Sequence, residues 1–199
     1  MSGSLNGILF PLLYAILPLF SLVQYVSLRI RDTRASPQDP HLGRKSLLYL
    51  FFNIAAFTAL AGFTLSAMDW VKYLFEPIAA APVVVRDWYT TGQRLAAGLV
   101  VSGILHGLLF WIIIRLGTND KQFPAVGRAA IGMRLTVAGL ITFYTSSAAI
   151  VLAFAKESVG FDSLQQTCAI ASVWAPTAVL HLVLMLMSSG WQRKRDVAE

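Results

Sequence analysis

The chain consists of five long apolar runs separated by polar segments. Each run has 20 to 24 residues, and a helix needs about 20 apolar residues to cross roughly 30 Å of hydrocarbon. None of the runs alternates polar and apolar residues at period two, and each is about twice as long as a strand of a transmembrane barrel. The pattern therefore predicts an all-α integral membrane protein with five transmembrane helices. The predicted spans are 5–28, 47–68, 95–114, 135–155 and 168–187.

The composition supports a single membrane domain over residues 1–199 with a short basic tail at 188–199. Hydrophobic residues make up 56% of the 199 residues and charged residues 13%, whereas a soluble domain carries about 25% charged residues. An ordinary soluble domain is therefore excluded. The long connection between the second and third spans contains the apolar stretch 77–85, which we interpret either as a segment on the membrane surface or as a loop resting on the helix ends.

The net charge of +6 reflects the expected orientation in the membrane rather than a nucleic-acid partner. Twelve of the sixteen Lys and Arg residues lie in the loops after the first and third spans and in the tail. The other side has only Lys72, Arg86, Arg94 and Lys156. Because short cytoplasmic loops retain positive charge, the N-terminus is predicted outside and the C-terminus in the cytoplasm. We interpret the basic loop 29–45 as solvated and in contact with anionic lipid headgroups.

Tryptophan positions agree with these predicted span boundaries. Trp70, Trp88 and Trp174 lie near predicted outer ends, and Trp111 and Trp191 near inner ends. Amphipathic indole rings prefer the headgroup region of the bilayer. We therefore expect these five side chains to mark the membrane interfaces.

The predicted spans contain no Asp, Glu, Lys or Arg, which disfavours ion-coupled transporters and proton pumps. Their polar side chains are expected to hydrogen-bond between helices. A serine nucleophile would need a base and an acid that these spans do not supply, so the sequence favours a non-catalytic protein over an enzyme. The polar side chains that we interpret as interior are those of Gln24, Asn53, Thr142, Tyr144, Thr145, Ser146, Ser147 and two histidines.

The histidines are the most informative residues of the predicted spans. His106 is the twelfth residue of the third span and His181 the fourteenth of the fifth, and these spans run in the same direction. The sequence Ser102-Gly-Ile-Leu-His106 parallels Thr177-Ala-Val-Leu-His181. This similarity suggests two repeated helical hairpins, spans 2–3 and spans 4–5, that follow an N-terminal helix.

Two interpretations of the histidine pair remain open. His106 and His181 are candidate axial metal ligands of one b-type haem, with Gly103 and Gly107 letting the flat macrocycle approach the backbone. Alternatively, each histidine is neutral and hydrogen-bonds to a neighbouring helix, while the two glycines, which form a GxxxG pattern, serve helix packing. We interpret His41, in the first loop, as a turn residue.

Three functions follow from these observations. The first is a non-catalytic membrane subunit or scaffold that packs against partner membrane proteins, copies of itself, lipid or pigment. The alternative is a membrane-anchored electron-transfer protein with one haem, exchanging electrons with quinone or a redox partner. A transporter of a neutral substrate is supported only by Pro11, Pro18 and Pro176, which we interpret as structural.

Overall fold

The computed structural model describes residues 5–34, 38–75, 83–119, 122–154 and 161–196, and these residues form five α-helices and short turns. The helices are α1 (Leu5–Asp32), α2 (Leu42–Phe75), α3 (Val83–Gly117), α4 (Ala125–Phe154) and α5 (Phe161–Asp196). Among the described residues, four stretches are long and apolar enough to cross a membrane, namely Leu42–Val71, Thr91–Gly117, Ala125–Phe154 and Leu164–Ser188. The prediction of an all-helical, multi-pass membrane protein is confirmed at this level. A crossing by α1 and the repeated hairpins stay predictions.

The helices extend beyond the predicted spans at several ends. Helix α2 begins at Leu42 rather than at 47 and continues to Phe75 rather than ending at 68. Helix α4 begins at Ala125 rather than at 135, and α3 begins at Val83 rather than at 95. Hydropathy marks the apolar part of a helix, whereas the helical backbone continues into more polar residues at its ends. The predicted surface stretch 77–85 lies mostly outside the described residues.

The chain divides into two compact units, of which the first comprises Met1–Phe57 and Ser102–Ala130. In this unit the Gln24 amide of α1 donates to the backbone oxygen of Ala129 in α4 at 2.9 Å, as expected for an interhelical polar contact. Helices α2 and α3 meet through the stacked rings of Phe51 and Phe110, whose centroids are 5.4 Å apart. Leu17 is buried in this unit.

The second unit comprises Thr58–Val101 and Ile131–Glu199. Its α2 and α3 segments approach closely at Gly62, because a Cβ atom there would lie 2.6 Å from the backbone oxygen of Ala96 and 2.7 Å from Val100 Cγ2. Any side chain at this position would force the helices apart. Glycine at 62 therefore permits the contact.

A buried hydrogen bond joins α5 to α2 in the same unit. Trp174 is only 1% exposed, and its Nε1 donates to Thr64 Oγ1 at 3.1 Å. The expectation that Trp174 marks the membrane interface is wrong, since its ring packs in the core. The rings of Trp70 and Trp111 are exposed, and their position at the interface stays a prediction. The side chains of the other two Trp residues lie outside the description.

Candidate functional site

His106 lies on α3, two residues from the middle of the apolar stretch Thr91–Gly117, which corresponds to about 3 Å along the helix. Its Nδ1 is 2.8 Å from the backbone oxygen of Ser102, one turn earlier. A carbonyl oxygen only accepts, so Nδ1 carries the hydrogen and donates it. In the neutral ring Nε2 is then a bare acceptor, and the side chain that carries it is exposed.

His181 lies on α5 and uses the same local geometry. Its Nδ1 donates to the backbone oxygen of Thr177, also one turn earlier, at 2.8 Å. The side chain of His106 is exposed, whereas that of His181 is buried, at 8% exposure. Arg134, which the sequence placed in a loop, is a residue of α4 and lies close enough to His181 to interact with it electrostatically.

Both histidines thus hydrogen-bond to their own helix and not to a neighbouring helix through Nδ1. Metal-ligating histidines commonly donate their second ring N–H to a backbone carbonyl, which orients the ring and leaves the other nitrogen for the metal. The geometry at each residue therefore suits ligation through Nε2. His106 belongs to the first unit and His181 to the second, and a haem between them stays a prediction.

The two glycines beside His106 lie on the side of α3 that packs on its own chain. Gly103 is buried. A Cβ atom at Gly107 would lie 3.9 Å from Phe52 Cε2 and 4.0 Å from Ala55 Cβ, both on α2. These are ordinary van der Waals distances. Gly107 therefore faces α2, and an alanine fits there.

A buried ion pair at the start of α2 was not predicted from the sequence. Lys45 is fully buried, and its Nζ donates to Asp39 Oδ2 at 2.8 Å and to the backbone oxygen of Phe123 at 3.0 Å. Asp39 Oδ1 accepts the backbone N–H of His41 at 2.9 Å, which confirms His41 as a turn residue. The interpretation of loop 29–45 as solvated is therefore wrong at Asp39 and Lys45.

A small polar cavity lies in the first unit, between α1, α2 and the first turns of α4. The polar side chains that line it are those of Ser21, Gln24, Ser46, Tyr49 and Asn53. Asn53 is 2% exposed, and its Oδ1 accepts no hydrogen bond from any described residue. The sequence had identified Gln24 and Asn53 as interior polar residues but did not indicate that they line one cavity.

Hydroxyl groups of α4 behave differently from the expected interhelical contacts. Thr142 donates to the backbone oxygen of Ala138 at 2.7 Å, and Thr145 to that of Ile141 at 2.8 Å. Both bonds lie within α4, one turn back along the helix. The local backbone therefore satisfies these donors without a second helix.

Among the described residues, no three or more His, Cys, Asp or Glu side chains group as a metal site. Haem ligation by two histidines does not require such a cluster. Comparison with protein families, curated proteins and solved structures finds no match to this chain. A functional proposal therefore depends on the geometry of the chain itself.

Proposed function

We propose that the chain is a non-catalytic integral membrane subunit whose helix α3 packs against a partner membrane protein or a second copy of the chain. The observation that carries this proposal is the exposed imidazole of His106 near the middle of an apolar helix. Loop charges support an outer N-terminus and a cytoplasmic C-terminus for this subunit. Lipid covers the remaining apolar surface.

The cost of exposing His106 to lipid is the physical reason for a partner. Its Nδ1–H is satisfied by Ser102, but lipid tails offer no donor to Nε2. An unsatisfied polar group in hydrocarbon costs several kcal/mol. A donor on a partner helix removes this cost, and intramembrane hydrogen bonds of this kind contribute about 0.6–1.7 kcal/mol in measured cases.

Helix α3 offers a wide surface for such a partner. Only 11% of the most apolar 18-residue segment within Thr91–Gly117 is buried inside the chain. The large apolar side chains exposed on it are Leu95, Val101, Ile104, Leu105, Leu108, Leu109, Trp111, Ile112 and Leu116. Apolar side chains suit lipid and protein equally well, because lipid tails are as apolar as leucine. The histidine is therefore the residue that discriminates between them.

Site-specific photocrosslinking in intact membranes tests the proposal. A photoreactive residue replaces Leu105, which is 60% exposed and adjacent to His106, or Phe143 on α4, which is 74% exposed and serves as the control position. We expect protein adducts above the 21.8 kDa chain at position 105. Adducts at twice that mass identify a second copy.

Two substitutions connect the adducts to the histidine. His106→Leu should reduce the adducts at position 105 several-fold, whereas His106→Gln, whose amide oxygen still accepts a hydrogen bond, should preserve them. Adducts at position 143 should be the same in both variants. Labelling at position 105 by lipid alone, or protein adducts that His106→Leu leaves unchanged, contradicts the proposal.

The second candidate function is electron transfer through one b-type haem ligated by His106 and His181. It is favoured by the orientation of both rings, in which Nδ1 is held by a backbone carbonyl and Nε2 is left as the ligand atom. Protein expressed with added haem should show a Soret band that shifts on dithionite reduction. Replacing either histidine by alanine should abolish the shift, and a wild-type spectrum without haem excludes this function.

A further inference from the structure

The polar cavity of the first unit has the size of a single water molecule. The volume open to the centre of a water molecule is about 10 Å³. A cavity of roughly 10–15 Å³ on this measure holds one water molecule. Helix α1 contributes Ser21 and Gln24, α2 contributes Ser46 and Asn53, and α4 contributes Val126. The cavity is too small for a lipid headgroup or a cofactor.

Asn53 supplies the reason for a ligand in this cavity. Its side chain is 2% exposed, and none of the described residues donates a hydrogen bond to its Oδ1. Buried polar atoms are almost always paired, and a buried acceptor without a protein donor indicates another donor, such as a water molecule. Whatever occupies the cavity must therefore donate a hydrogen bond to Asn53.

Neighbouring polar groups complete the site for a water molecule. The Gln24 amide nitrogen donates to the backbone oxygen of Ala129, and the Ser46 hydroxyl donates to that of Leu42, both at 2.9 Å. The oxygens of these two cavity-lining side chains therefore remain able to accept a hydrogen bond. A water molecule has the two hydrogens needed to bond both Asn53 Oδ1 and one of these oxygens.

We propose that this cavity binds one ordered water molecule that links α1, α2 and the start of α4 through Asn53. The described side chains lining the cavity are uncharged, which favours a neutral ligand over an ion. A polar cavity with several hydrogen-bonding partners meets the usual requirements for buried water. The bridge fastens three helices within the first unit.

Radiolytic hydroxyl-radical labelling of the full chain in phosphatidylcholine nanodiscs tests the proposal, because radicals form at bound water. Val126 reports on the site, since it lines the cavity and is only 4% exposed. Leu17, 2% exposed in the same unit, is the dry control. We expect several-fold more labelling of Val126 than of Leu17 in the wild type. Equal labelling of the two residues overturns the proposal.

Substitution of Asn53 adds a second measurement. Asn53→Leu should bring Val126 labelling down to that of Leu17 and lower the Tm by about 2–4 °C, because it removes the water's anchor. Asn53→Ser keeps a hydrogen-bonding group and should retain the labelling. If the cavity is dry, Asn53→Leu instead removes an unpaired polar group and raises the Tm, which overturns the proposal. Should Asn53→Leu fail to fold, the wild type and Asn53→Ser decide.

Discussion

The buried ion pair between Lys45 and Asp39 gives the sharpest stability prediction for this fold. Lys45 Nζ lies 2.8 Å from Asp39 Oδ2, and the two side chains are 0% and 5% exposed. At an effective dielectric constant of about 20, two unit charges at that distance attract by about 6 kcal/mol. Desolvation of both charges offsets most of this attraction, so the intact pair contributes little net stability.

Removing one charge of the pair destabilises the fold much more than the intact pair stabilises it. Lys45→Met keeps most of the aliphatic stem but leaves Asp39 as a buried charge without its cation, and it also removes the hydrogen bond to Phe123. We expect a loss of about 3–5 kcal/mol in the free energy of unfolding. The double variant Asp39→Asn, Lys45→Met has no buried charge at this site and should recover most of that loss.

Unfolding of the purified chain by SDS in mixed micelles measures these differences. Arg29→Met is the matched control, because Arg29 pairs with Asp32 at 3.6 Å while its own side chain is 54% exposed. Solvent screening limits such a pair to about 0–1 kcal/mol. The reasoning is refuted if Lys45→Met lowers the free energy of unfolding no more than Arg29→Met does. It is also refuted if the loss in the double variant equals the sum of the losses in Asp39→Asn and Lys45→Met.

Three further predictions concern helix packing, and the same unfolding measurement checks them. Gly62→Ala should lower the free energy of unfolding by about 1–3 kcal/mol because its Cβ collides with α3. Gly98→Ala should leave it unchanged, since the described part of the structure shows open space around the added Cβ. Equal effects of the two substitutions would contradict the packing. Gly107→Ala should be tolerated, since its Cβ meets α2 at van der Waals distance, and a large loss would show a tighter contact. Trp174→Phe and Thr64→Val should each lower the free energy of unfolding by about 0.6–1.7 kcal/mol or more, because each removes their shared hydrogen bond. If the loss in the double variant equals the sum of the two single losses, the result argues against that bond.

The helices were predictable from the sequence, but their ends were not. A run of about 20 apolar residues identifies a span because only hydrocarbon selects for it. The polar turns before residue 47 and before residue 135 remain helical, and hydropathy does not detect them. Residues such as Arg128 and Arg134 therefore lie in α4 rather than in a loop.

Contacts between helices were the least predictable feature, because they depend on how each helix is rotated. Small residues such as Gly98 and Gly139 suit close helix packing by residue type. Within the described part of the chain, no other helix or side chain lies within 4 Å of a Cβ atom added at either, whereas one at Gly62 would lie 2.6 Å from the backbone oxygen of Ala96. Likewise, Lys45 bonds to Phe123, 78 residues away, and no local pattern indicates such a partner.

The two histidines show where local sequence stops determining the site. The matching residues at Ser102 and Thr177 each place a backbone oxygen one turn before a histidine, and both rings bond to it in the same way. Burial nevertheless differs, since His106 is exposed and His181 is 8% exposed. Most of the His181 side chain is covered by the chain, whereas the His106 side chain faces outward. This difference is why we favour a partner at His106 over a haem shared by two equivalent ligands.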